Sequence, residues 1–369
     1  MKHKILFNGL LYAPDGTGVS RYAEHMVQQY IAGGYAVDLL LRDDYKAQYG
    51  QYDNVIFAGR DIHSSGQRII AEQWQLRKLY RQYDLVHFPD YATPVLTRTA
   101  SVSTIHDMAM KTMRHQYTRQ QNFTKNILLQ NTIHRSAGVV CDSHFSRQEL
   151  LQYYPGMEHK SRVIHLGVEQ ANVAPADLRM LQQWGLQSQQ YFLYVGTLAP
   201  HKNIVQLIKG FALLCQQGYE DKLVLAGGKG WMYDDIFAEV QRQQLQSRVI
   251  FTGYVSAEQL ELLYQNAFAF VTMSMYEGFG LPPLEAMVRR LPVVVNDIPV
   301  FHETVGDCGL YVDAGNIESV MQQMKRLIDD NILYHDLVVH GAKRAEVFQW
   351  SSTAQQTWQF YQDVLGGDL

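Results

Sequence analysis

The chain predicts an α/β architecture of two doubly wound, Rossmann-like parallel-sheet domains, and three observations lead there. Short apolar runs alternate with longer amphipathic segments throughout, the pattern of parallel strands covered by helices on both faces. The alternation falls into two successive series, and 369 residues suffice for two separate cores. Several apolar runs end in glycine-bearing turns that lead into helices, the place where open α/β sheets bind ligands.

The first series of expected strands is Ile5–Leu10, Ala36–Leu41, Asn54–Phe57, Leu85–Phe88, Val102–Ile105, Val139–Cys141 and Val163–His165. The second is Phe192–Val195, Leu223–Ala226, Val249–Phe251, Phe268–Thr272, Val293–Val295 and Leu310–Val312. Between them the polar segment Gln170–Ala176, which carries Pro175, marks the domain break, and Asp177–Gly185 reads as a short helix. The domains are therefore expected at 1–170 and 171–351. Ser351 is placed to cap a last helix running to Leu365.

Composition narrows the function classes. A formal net charge of -4 gives no general attraction to nucleic acid. Residues 1–170 nevertheless carry 19 Lys+Arg against 15 Asp+Glu, whereas the remainder carries 13 against 21, so the two halves suit different partners. Cys141, Cys215 and Cys308 are too few and too scattered for a disulfide framework or a structural zinc site. With no apolar run long enough for a signal peptide or a membrane span, a cytoplasmic protein is expected.

The informative stretch is Glu277-Gly-Phe-Gly-Leu-Pro-Pro-Leu-Glu285, after an apolar strand and at the start of a helix. Gly278 and Gly280 allow a tight turn, and Pro282 and Pro283 suit a first helical turn, where a missing N–H is no loss. The amides expected to face a ligand are those of Gly278, Phe279, Gly280 and Leu281, and amides at a helix start attract phosphate. Glu277 and Glu285 flank them, and carboxylates beside a phosphate site suit sugar hydroxyls. The pattern reads as a grip on a sugar joined to a phosphate.

Two glutamates with seven residues between them, including Gly-Phe-Gly-Leu-Pro, resemble the E-x7-E motif of family 4 glycosyltransferases, which have the GT-B fold and retain anomeric configuration. The resemblance covers nearly the whole chain, with its specific motifs in the second half. It implies two Rossmann-like domains facing across a cleft, with the last helix, 352–369, returning to the first, acceptor-binding domain. It also implies a donor-binding second domain. The turn after the first strand, Pro14-Asp-Gly-Thr-Gly-Val-Ser20, is not G-x-G-x-x-G. Its Gly16 and Gly18 nevertheless resemble the family's glycine loop, which reaches toward donor phosphate and acceptor. His106, at the end of the fifth strand and followed by Asp107, matches a histidine that lies beside the donor sugar.

Gly-Thr-Leu-Ala-Pro-His-Lys-Asn203 resembles the diphosphate-lysine segment, making Lys202 the leaving-group cation. Thr197 and His201 stand where many relatives carry arginine, which lowers the fixed positive charge, and His201 supplies charge only when protonated. The loops containing Gly228 and Tyr254-Val255 border the nucleotide by the same resemblance, although Tyr254 serves equally as a packing aromatic. The implied roles are Glu277 on the donor sugar, Glu285 on the ribose, and Lys202 with the turn amides on the departing diphosphate.

The implied reaction moves a hexose from a nucleoside diphosphate sugar to a hydroxyl of a saccharide or lipid-linked acceptor in polysaccharide or glycoconjugate synthesis. A nucleotide-sugar epimerase, a phosphorylase or a non-catalytic accessory protein on the same scaffold are the rival readings. No D-x-D occurs and the 14 histidines show no metal-ligand spacing, so no cofactor and no metal site are expected. The stretch from Met108 to Cys141 contains five basic and no acidic residues. It reads either as a solvated helical face or as a surface for anionic lipid at the inner face of the cell membrane.

Overall fold

The computed structural model describes residues 3–13, 16, 18–59, 62, 64–95, 98–114, 119–171 and 179–367, apart from the side chains of residues 65 and 119–122. The chain divides into two compact units, Met1–Gly167 with Gln349–Leu369, and Val168–Phe348. Much of the expected linker, and the first residues of the helix expected at Asp177–Gly185, lie outside the described residues; the helix is present over Arg179–Gln183.

The first unit contains strands β1 (Ile5–Asn8), β2 (Asp38–Leu41), β3 (Val55–Phe57), β4 (Leu85–Phe88), β5 (Ala100–Ile105), β6 (Gly138–Cys141) and β7 (Ser161–Val163). They form one sheet in the order β3-β2-β1-β4-β5-β6-β7, every pair parallel. From β1 the chain first steps outward on one side and then, from β4, on the other. With right-handed crossovers, that reversal places connecting helices on both faces of the sheet. The central strands are consequently buried on both sides, β1, β4 and β6 at every residue, while the edge strands β3 and β7 are only partly buried.

The second unit repeats the plan with β8 (Tyr191–Val195), β9 (Lys222–Ala226), β10 (Val249–Gly253), β11 (Ala269–Thr272), β12 (Val293–Asn296) and β13 (Leu310–Val312). Their order is β10-β9-β8-β11-β12-β13, again wholly parallel. Its core joins Phe192, Tyr194, Leu225 and Val271 from the strands to Leu207, Ile208 and Phe211 from the helix Ile204–Gln216. Burying one such side chain contributes about 1.5–3 kcal/mol, so the sheet–helix packing sets the frame on which the loops are hung.

The helix Trp350–Gly366 closes the first unit. It packs on the helix Gly18–Ala32, and Tyr361 from its last turns sits wholly buried between the Tyr30 hydroxyl at 2.7 Å and His87 Nδ1 at 2.5 Å. The indole of Trp350 stacks on His25 with ring centres 4.4 Å apart. Ser351 lies inside this helix rather than capping it, and Gln349 occupies the cap position. Three further details depart from expectation. The helix expected from Arg21 starts at Gly18, because Ser20 Oγ accepts from Ala13 N at 2.8 Å and closes the turn early. The seventh strand begins at Ser161, whose ladder partner is Val139, and it has ended by Ile164. Asn203 stands at the helix cap position but with φ 54°, and its side chain donates to the Ala314 carbonyl at 3.3 Å instead of capping.

Candidate active site

In the second unit the chain leaves β8 and β11 in opposite directions, so the crevice at their carboxyl ends is the topological switch point of the sheet. Both exit loops carry charge to that point. The loop after β8 makes a short 3-10 turn, Pro200–Lys202, and the loop after β11 carries Glu277. Lys202 Nζ donates to Glu277 Oε1 at 2.6 Å, with each side chain 18% exposed. A second strap joins the same loops, Met275 N donating to the His201 carbonyl at 2.8 Å. The pair remains accessible to a ligand while being shielded enough for its charges to act strongly.

The rest of the Glu277–Glu285 stretch follows the steric argument made for it. The helix runs Leu281–Val288 with Pro282 and Pro283 in its first turn. Gly280 precedes it at φ 86°, and a Cβ there would also meet the Phe301 ring at 2.6 Å. Phe279 is buried against Phe348 in an edge-to-face contact of 5.6 Å, which fixes the turn and leaves Gly278 and Leu281 partly exposed. Glu285 is 3% exposed, and its Oε2 accepts from the Tyr264 hydroxyl at 3.0 Å.

The neighbouring loops are tied in by backbone pairing. Leu198 N donates to Gly228 O and Gly230 N to Leu198 O, both at 3.0 Å, which brings exposed Thr197 beside the glycine turn after β9. A Cβ on Gly227 would fall 2.0 Å from the Gly196 carbonyl, so the two turns touch only because this position is glycine. Tyr254 and Val255 follow the edge strand β10, two strands away from β8, and Tyr254 is 64% exposed rather than packed. His201 stacks on Trp231 with ring centres 5.5 Å apart. Burial, then the adjacent Lys202 charge, lower its pKa to about 4, so near neutral pH it brings no positive charge.

In the first unit, His106 follows β5 and Asp142 follows β6, the same strand-end position one strand over. His106 Nδ1 lies 2.6 Å from Asp142 Oδ2, and Nε2 lies 2.9 Å from the Pro89 carbonyl. A carbonyl accepts only, and so does an ionised carboxylate, so both ring nitrogens must donate and the ring is an imidazolium. Burial opposes that charge, but the attraction and hydrogen bond of Asp142, with the Pro89 carbonyl, prevail and raise the pKa to about 9. Sequence reasoning misses Asp142, although its strand-end position is a usable signal. Gly16 donates its amide to Ala13 O at 3.0 Å, and Gly18 opens the first helix; Pro14, Asp15 and Thr17 between and beside them lie outside the described residues.

Comparison with known proteins bears on the fold and the family. Residues 16–171 match the family model "Glycosyltransferase Family 4", and residues 179–344 match "Glycosyl transferases group 1". The chain is 30% identical over 294 residues to the O-antigen chain mannosyltransferase B of Escherichia coli, across 79% of this chain and 76% of that one. Sucrose-phosphate synthase from Thermosynechococcus elongatus superposes with TM-score 0.76 at 21% identity, over 99% of this chain and 100% of that chain. Anabaena HepE, solved with UDP and glucose, gives TM-score 0.76 at 20% identity, over 98% and 100%. Two parallel α/β units of this topology and these matches define a glycosyltransferase of the GT-B fold. Within that class, the chain belongs to glycosyltransferase family 4.

Proposed function

We propose that this enzyme moves a hexosyl group, mannosyl by likeness to its E. coli relative, from a nucleoside diphosphate sugar to a hydroxyl of a saccharide or lipid-linked acceptor, with retention. The product belongs to polysaccharide or glycoconjugate synthesis. The observation that carries the reading is the Lys202–Glu277 pair at the switch point beside a helix start. In this scheme Lys202 and the amides of Gly278 to Leu281 take the charge that develops on the diphosphate. Glu277 holds sugar hydroxyls and Glu285 the ribose. The bond from the anomeric carbon to phosphate oxygen breaks, the acceptor oxygen bonds on the same face, and its proton passes to the departing phosphate oxygen. No metal takes part in this scheme, since fixed donors serve the diphosphate. In the first unit, His106 is held as a fixed cation, because both its nitrogens are already engaged.

The deciding experiment incubates the enzyme with GDP-mannose, UDP-glucose and the other common sugar nucleotides, with and without saccharide acceptors. Transfer predicts free nucleotide and an α-linked product from an α-linked donor, formed only when acceptor is present. Interconversion of donor sugars without acceptor, or no turnover of any donor, would point to an epimerase or an accessory protein.

Contact with an anionic membrane belongs to the same proposal. Phe123 is 70% exposed and Ile127 47% exposed on the helix Arg119–Arg135, one turn apart, while Leu129 and Ile133 face the core. Two lysines of the stretch are partly engaged within the unit: Lys111 lies over the Tyr154 ring at 5.5 Å, and burial lowers the Lys125 pKa. In the proposed contact the exposed apolar pair and the basic residues act together. No helix among the described residues is long and apolar enough to cross a membrane.

A further inference from the structure

Glu285 is nearly inaccessible, and a carboxylate in that setting needs its direction set by neighbours. One neighbour comes from the helix Ala257–Asn266, whose role no motif announces. Tyr264 on that helix is 1% exposed and donates its hydroxyl to Glu285 Oε2 at 3.0 Å, with the Pro282 carbonyl a marginal second acceptor at 3.5 Å. The ring is held from the other side. Arg289 lies over it at 5.1 Å, donates to the Glu285 backbone carbonyl at 2.8 Å, and grips Glu261 Oε2 through Nε at 2.8 Å and Nη2 at 2.6 Å. Glu261 and Tyr264 are one helical turn apart, so Arg289 fastens the helix carrying Tyr264 to the end of the helix carrying Glu285.

We propose that Tyr264 is a positioning residue for the donor nucleoside, its hydroxyl aiming the Glu285 carboxylate so that the other oxygen meets the ribose diol. The inference rests on the reading of Glu285 as the ribose ligand. A tyrosine hydroxyl suits the task because it neutralises nothing: it fixes one oxygen while leaving the carboxylate charged and able to accept from sugar hydroxyls. A lysine or arginine in that place would compete with the ribose for the same charge. The Arg289–Glu261 bracket keeps the ring from turning away, and Arg289 directs its own charge to Glu261 and the Glu285 backbone rather than to the Glu285 carboxylate.

The test compares affinities of the full-length enzyme for UDP or GDP, whichever binds tighter, with those for the matching 2′,3′-dideoxy nucleoside diphosphate. Pyrophosphate serves as a ligand lacking ribose. Tyr264→Phe, which removes one oxygen atom, should weaken the ribonucleotide about fivefold to tenfold and leave the dideoxy compound and pyrophosphate within twofold, compressing the ribo-to-dideoxy ratio. Donor KM should rise in step while kcat changes little. A merely structural tyrosine would weaken all three ligands alike or none. Glu285→Gln is measured in parallel. If it also leaves the ratio unchanged, the ribose reading itself is wrong; if it compresses the ratio and Tyr264→Phe does not, only the positioning role falls. Should Tyr264→Phe fail to fold, Glu261→Gln, which frees Arg289, decides on the same ratio: a wild-type ratio overturns the proposal.

Discussion

Lys202 and Glu277 come from loops 75 residues apart and meet at 2.6 Å at the switch point of the second sheet. Each is therefore the other's counterion before any donor binds. A diphosphate and a hydroxyl-bearing sugar arriving together would exchange this single contact for two, one for each member. The pair thus holds both side chains in place until a donor replaces their mutual contact.

That coupling makes the two side chains non-additive. Lys202→Ala should lower turnover about 10²-fold, the scale of losing one preorganised charge stabiliser, and Glu277→Gln should mainly lower kcat. The double variant should lose clearly less than the product of the two single losses. Steady-state kinetics on the three folded variants decides it. Near-normal rates for Lys202→Ala would remove it from the site, and strictly multiplicative losses would mean the pair does not act as a unit.

The histidines set a pH dependence with a definite sign. His106 has a native pKa of about 9, above the unfolded value near 6.5, so its stabilisation is complete below pH ~6.5 and is lost as pH rises through 9. The size is about 3 kcal/mol for a shift of this kind. The groups facing the ring are Asp142, the Pro89 carbonyl, Asp107, His87 and Tyr22. His87 has the opposite shift: burial, then the His106 charge, lower it to about 3, so its contribution is lost as pH falls below ~6.5. Denaturant titrations from pH 5 to 10 should show the alkaline fall in the wild type and a flattened one in Asp142→Asn. An unchanged alkaline limb in that variant would contradict the imidazolium assignment.

Excess EDTA should leave most of the transferase activity, because the proposed scheme stabilises the diphosphate with Lys202 and backbone amides. Loss of activity that returns with Mn²⁺ would replace that scheme with a metal clamp.

Vesicles containing anionic lipid should carry the protein in flotation at low salt, and neutral vesicles should carry much less. Each nearby Lys or Arg contributes about 1 kcal/mol, and salt screens it. Because Phe123 and Ile127 are exposed on the helix Arg119–Arg135, Phe123→Ser with Ile127→Ser should weaken flotation severalfold at low salt. Retained flotation would assign the contact to charge alone, and equal binding to both vesicle types would leave an ordinary solvated face.

Periodicity reveals the sheets because buried parallel strands read as apolar runs, and each of the thirteen expected runs overlaps a strand among the described residues. The Glu277–Glu285 turn is legible for a local reason: proline and glycine restrict the backbone wherever they stand, as the φ of Gly280 shows. Side-chain partnerships made across long separations are not legible. Asn203 has the chemistry of a cap, yet a carbonyl 111 residues away takes its amide. Nothing in the sequence around Tyr264 connects it with Glu285, and nothing around His201 places Trp231 against it. Ser351 misplaces the helix start by two residues because Gln349 enters the helix without any side-chain cap.

The return of Trp350–Gly366 to the first unit has a consequence for synthesis. A ribosome releases residues 1–167 first, then all of 168–348, and only afterwards the helix that supplies Tyr361 to Tyr30 and His87. The usual order, in which an N-terminal domain finishes before the next emerges, is thus reversed. Val168–Phe348 has its whole core available once Phe348 is free, whereas the earlier sheet must wait with buried positions uncovered. During that interval the nascent chain exposes the apolar face that the last helix will cover, and this is where a chaperone would find it.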